Sequence, residues 1–90
     1  MKTDIREVEK VLKALANKRR ILIVEHLHHT KRAVVGAIAE EIKLSFKATS
    51  KHLLILSAAN VVEKEQIGLT MEYHLAEPLS PILKAILTIL

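Results

Sequence analysis

Apolar residues recur at intervals of three and four from near the start of the chain. Ile5, Val8, Val11, Leu12 and Leu15 form one stripe, with Arg6, Glu7, Lys10 and Lys13 on the opposite side. That pattern predicts an amphipathic helix from Asp4 to Leu15 that buries one face. Asp4 suits its N-cap, both as a hydrogen-bond acceptor and as a negative charge at the positive end of the helix dipole. Asn17 takes the same place before Ile21, Leu22, Val24 and Leu27, and His28-His29-Thr30-Lys31 puts cationic side chains at the end of this second helix. A third, short helix is predicted from Val34 to Ile42, with Val35, Ile38, Ala39 and Ile42 inward. Lys43-Leu44 makes a tight turn, and Ser45 caps a fourth helix from Phe46 to about Ala59. Asn60 follows, one of the few residues besides glycine that tolerates left-handed backbone.

After Asn60 the period falls from 3.6 to about 2. Met71, Tyr73 and Leu75 alternate with Glu72 and His74, opposite a run that begins at Val62-Glu63. Gln66-Ile67-Gly68-Leu69-Thr70 carries the turn glycine, so residues 61–75 read as a hairpin. Pro78 and Pro81 then interrupt the chain, and Pro81 fits the first turn of a last helix, Ile82 to Leu90, that is apolar on nearly every side. The expected fold is mostly α with a small β-hairpin, in one domain over residues 1–90. Residues 34–59 form a helix-turn-helix and 61–75 a two-stranded wing. Together they give a winged helix-turn-helix in which helices 4–15 and 82–90 flank a three-helix core.

Composition narrows the function. A chain of 90 residues that is 50% apolar has one modest core, burying roughly 60–65% of its unfolded surface. No cysteine is present, which excludes disulfides, thiolate metal sites and cysteine nucleophiles. The longest wholly apolar run, Ala33 to Ala39, is too short to span a bilayer, and Met1-Lys2-Thr3-Asp4 does not open a signal peptide. A cytoplasmic protein without a membrane partner is expected.

The net charge is +4, and its distribution carries more information than its sum. Residues 43–62 contain Lys43, Lys47 and Lys51 and no acid, while Glu63, Glu65, Glu72 and Glu77 make the wing segment acidic. One sign concentrated on one element points to a polyanion. On the fourth helix Thr49, Leu53 and Leu56 form the inward stripe, whereas Lys47, Ser50, Lys51 and Leu54 share another face that Lys43 extends. A helix fits the DNA major groove, and residues of its first turns reach base edges. Lysines beside them neutralise phosphates, and the helix N-terminus with Ser45 donates to a phosphate oxygen. Phe46 either meets a thymine methyl or packs under the turn. Lys18-Arg19-Arg20 opens the second helix as another cationic group. With Phe46 and Tyr73 as the only aromatics, base-stacking recognition of single strands is excluded.

These residues resemble a known family. Leu12-Lys13-Ala14-Leu15-Ala16-Asn17 followed by Arg20-Ile21-Leu22-Ile23 is similar to the opening of arsenical-resistance-type (ArsR-like) winged-helix repressors. Ile38-Ala39-Glu40, Leu44-Ser45 and Thr49-Ser50-Lys51-His52-Leu53 match their helix-turn-helix. Ala59-Asn60-Val61-Val62 and Tyr73-His74-Leu75 stand at the two ends of their wing. The resemblance implies a homodimeric transcriptional repressor on a two-fold symmetric DNA operator. Lys43, Ser45, Phe46, Lys47, Ser50, Lys51, His52 and Arg20 would form the DNA surface. Ile5, Val8 and Leu12 with Ile82, Leu83, Ile86 and Ile89 would form the dimer interface.

Departures from the family pattern bear on regulation. The cysteine pair of the metal-sensing members corresponds to Val34 and Gly36, and residues 78–90 hold none of the Asp, His and Glu ligands of a second family site. No metal or cofactor is therefore expected, and any inducer is a small molecule of another kind. The wing tip also lacks basic residues, which shifts the electrostatic work to the second and fourth helices. His26, His28 and His29 crowd one helix end, but adjacent side chains diverge, so a cap or structural role is expected there. His52 suits packing or a phosphate contact. Glu40 and Glu41 diverge by about 100° and have no nucleophile beside them, so no enzymatic site is expected. The alternative to a DNA-binding regulator is a winged-helix interaction module that takes a protein or small ligand and uses no DNA; the acidic wing and Leu54 favour it.

Overall fold

Side-chain caps set the helix starts. The computed structural model describes residues 4–90, so the first three residues of the expected domain lie outside it. The Asp4 carboxylate accepts the Arg6 N–H at 2.9 Å and opens α1, Ile5–Leu15. Asn17 Oδ1 accepts from Arg20 N at 3.1 Å and opens α2, Lys18–Thr30. Ser45 Oγ accepts from Ala48 N at 3.1 Å and opens α4, Phe46–Ala58, and Ser80 Oγ does so for α5, Pro81–Ile89. Each cap satisfies a backbone donor that has no intrahelical partner. The remaining helix, α3 at Val35–Ile42, has Val34 at its N-cap position and no side-chain cap.

Two helix ends reverse the chain through left-handed residues. Lys43 has φ 55°, and Leu44 N bonds Ala39 O at 3.0 Å while Lys43 N reaches Glu40 O at 3.3 Å. Asn60, at φ 61°, repeats the arrangement with Val61 N on Leu56 O and Asn60 N on Ser57 O. Both are Schellman endings, in which the freed carbonyls of the last turn find donors. The first fixes the angle between α3 and α4, and so makes them a helix-turn-helix.

The core is aliphatic. Ile23, Val24 and Leu27 of α2, Ile38 and Ile42 of α3, and Leu53 and Leu56 of α4 are buried together with Val61, Val62 and Leu75. A fully buried side chain of this kind contributes roughly 1.5–3 kcal/mol, so these positions hold α4 against the body. The flanking helices share in this core: Ala14 and Leu15 of α1 and Leu83 of α5 belong to it. Leu83 is 2% exposed; it therefore completes the protomer core, and the dimer surface expected at 82–89 excludes it. Among the described residues no helix is long and apolar enough to cross a membrane.

The wing contains one strand more than the hairpin. Strands β2, Val62–Ile67, and β3, Thr70–Leu75, pair antiparallel from Val62↔Leu75 to Ile67↔Thr70. Gly68, at φ 61°, and Leu69 make a two-residue turn, and glycine at its first position supplies the positive φ that such turns require. A short strand β1, Ala33–Val34, pairs with the outer side of β3 through Ala33↔Tyr73 and Val34↔Glu72, giving the order β1-β3-β2. Glu65 and Glu72 face each other across β2 and β3, a repulsive pairing in itself. Arg32 relieves it: its Nη1 lies 2.7 Å from Glu65 Oε1, and the guanidinium holds the Glu65 carboxyl below the usual carboxylate range.

Candidate nucleic-acid interface

Helix α4 is amphipathic in the sense its sequence predicts. Thr49, Leu53 and Leu56 are buried, while Lys47, Lys51 and Leu54 are exposed and Ser50 is half-buried. Lys43 and Ser45 stand exposed at the N-terminal end of the helix. Phe46 is 63% exposed, so it projects from the first turn instead of packing beneath it. The ion pairs among the described residues are Arg6–Asp4, Lys13–Glu9 and Arg32–Glu65; Lys43, Lys47 and Lys51 take part in none of them. Two ammonium groups outside these ion pairs thus lie four residues apart on the exposed side of a helix anchored by its opposite side, with that of Lys43 at the corner before it.

The cationic group at the start of α2 has another role. Arg19 Nη1 donates to Ile42 O at 2.7 Å and so closes the last turn of α3. Arg20 donates through Nε to Ala14 O and through Nη2 to Lys13 O at 3.5 Å, and its Nη1 lies 3.2 Å from His52 Nδ1. These two guanidiniums bind helix ends within the protomer, so Arg20 is not a free hand for a phosphate, and the positive surface contracts towards α4. Sequence periodicity could not locate this, because an arginine aimed at a carbonyl leaves no pattern. His52 is half-buried; burial first, then the nearby charges of Arg20 and Arg19, lower its pKa from the ordinary imidazole value.

Thr49 Oγ1 is buried without a hydrogen-bond partner. An unsatisfied hydroxyl costs about 1–3 kcal/mol, and valine has nearly the same shape. Thr49→Val is therefore expected to stabilise the protein by about 1 kcal/mol in denaturant melts. A loss of stability would mean that the hydroxyl is satisfied in solution.

An apolar surface lies on the flanking helices. Ile5 is 83% and Ile89 82% exposed, and Leu12 and Leu90 are also exposed. Val8, Ile82 and Ile86 are half-buried. Val8 and Val11 of α1 and Pro81 and Ile82 of α5 line one depression of about 440 Å³, and Ile5, Val8 and Leu12 line the groove beside it. The two helices thus contribute to one continuous apolar area. Among the described residues no group of three or more His, Asp or Glu is arranged to hold a metal ion.

The chain is similar to nodulation protein NolR of Rhizobium meliloti, with 40% identity over 62 residues, 69% of this chain and 50% of the relative. It thus spans about half the length of that curated relative. The structure is similar to that of NolR from Sinorhizobium fredii, with 32% identity, 93% of this chain and 80% of the other covered, and a TM-score of 0.79. It also resembles Mb0332 from Mycobacterium bovis, described as a homodimeric winged helix-turn-helix DNA-binding domain and a possible ArsR-family transcriptional regulator; here identity is 27%, coverage 94% and 76%, and the TM-score 0.83. No family model matches the chain.

Proposed function

This chain belongs to the arsenical-resistance-type (ArsR-like) family of winged helix-turn-helix regulators, and from that membership we propose that it is a homodimeric repressor that binds a specific double-stranded DNA operator. The observation that carries the reading is the pair of solvent-facing lysines, Lys47 and Lys51, on a helix fixed by Leu53 and Leu56, with Lys43 exposed at the corner before it and none of the three in an ion pair among the described residues. In the dimer two copies of α4 enter successive major grooves about 34 Å apart. Lys47, Ser50 and Lys51 approach base edges, the two ammonium groups also neutralising the phosphates that flank them; Phe46 meets a thymine methyl, and Lys43 and Ser45 hold the backbone.

Repression is independent of the family's metal sites in this reading, because the chain has no cysteine to supply a thiolate and residues 78–90 hold no Asp, His or Glu for the second site. Any effector is a small molecule of other chemistry. The exposed Leu54, 69% accessible, is what favours the second reading, a module that docks a protein or small ligand without DNA. A mobility-shift assay on the DNA upstream of the protein's own gene, repeated over a salt series, separates the two. Specific binding that weakens steeply with salt supports the regulator, and no shift at low salt rejects it.

A further inference from the structure

The contact between Arg20 and His52 has a chemical consequence beyond packing. A guanidinium carries only donors and keeps its charge at all relevant pH. A ring nitrogen 3.2 Å from Arg20 Nη1 must therefore accept, which makes Nδ1 of His52 the unprotonated nitrogen. In a neutral imidazole the proton then resides on Nε2.

The arginine is itself held in place. The last four carbonyls of α1 have no intrahelical donors. Leu12 O receives Ala16 N at 2.9 Å and Leu15 O receives Asn17 N at 2.8 Å. The two between them, Lys13 O and Ala14 O, receive the Arg20 side chain, and Asn17 holds the Arg20 backbone N–H. One guanidinium thus completes the end of α1 and orients a ring on α4.

We propose that Arg20 is a positioning residue for the α4 surface: it locks the His52 ring as the Nε2–H tautomer and so presents an N–H donor to a phosphate oxygen of bound DNA. The proposal rests on the DNA-binding reading for its last step and on this geometry alone for its first. A protonated ring would set two donors and two positive charges against each other. The charges acting on the ring are the cations Arg20 and Arg19 of α2, and with burial they keep it neutral below the pH at which a free imidazole titrates. The donor is therefore constant across the neutral range, and DNA affinity owes no pH dependence to His52 there.

Nitrogen-15 NMR of the His52 ring in the free protein tests the first step without DNA. Between pH 6.5 and 8 an unprotonated Nδ1 and a protonated Nε2 are expected; a proton on Nδ1 overturns the proposal. In Arg20→Gln the ring is expected to populate both tautomers and to titrate closer to pH 6.5, and a tautomer unchanged by that substitution also overturns it. Arg20→Lys serves where the glutamine variant folds poorly, since one ammonium cannot hold all three acceptors in one plane. The second step is read as a double-mutant cycle on DNA binding. Arg20→Gln is expected to weaken binding about tenfold and to do so little in a His52→Ala background. An equal loss in both backgrounds shows that Arg20 acts apart from the ring, which overturns the second step while the DNA reading stands. That reading fails separately, if the unaltered protein shifts no DNA at low salt.

Discussion

Replacing Lys47 and Lys51 together by alanine is expected to abolish specific DNA binding at physiological salt while leaving the fold intact. Both side chains are exposed and join none of the ion pairs among the described residues, so their loss costs the protomer at most about 0.5 kcal/mol. Their interaction with DNA is of another order. Each neutralised phosphate adds about 0.9 to the slope of log affinity against log salt, so two lysines on each of two protomers account for about 3.6. A slope flattened by that amount, with unchanged circular dichroism, is the expected outcome. An unchanged slope would place the DNA on another surface. Lys43→Ala, which removes one contact per protomer, is expected to flatten it by about half as much.

The second large effect concerns self-association. Leu12→Glu combined with Ile89→Glu puts charges on an exposed apolar position in the groove along α1 and on another near the end of α5. Neither side chain belongs to the buried core, so the isolated protomer is expected to remain folded. Burying two carboxylates against an apolar partner is costly, and the dimer is expected to give way to monomer in sedimentation equilibrium. DNA affinity should fall with it by about 10²-fold or more, because a monomer engages one half-site and forfeits the gain from linked binding. A dimer that survives the double change would place the interface elsewhere on the protein.

Much of this architecture was legible in the sequence, for identifiable reasons. Asp4, Asn17 and Ser45 are capping residues ahead of periodic apolar runs, and each caps the helix expected of it. Asn60 adopts the left-handed backbone its residue type suggests. The inward stripe of α4 followed from spacing alone. The short strand β1 was not legible, because two apolar residues directly before a helix have no period and read as its first turn. Leu83 was misplaced for a related reason: α5 is apolar on nearly every side, and only packing decides which side meets the core. The candidate site was legible as far as the lysines. The engagement of Arg19 and Arg20 depends on carbonyl groups brought near them by folding, and composition counted both simply as positive charge. Phe46 was open between two settings, and its exposure decides against packing.

The start of α3 deserves its mechanical reading. Val34 ends β1 and precedes the first residue of α3 with nothing between them, and no side chain caps that helix. Its backbone is instead tied through Val34↔Glu72 to the central strand of the sheet. Hairpin and helix pair are consequently geared together: a force that tilts β3 is delivered at the root of α3, and across the rigid Lys43 corner to α4.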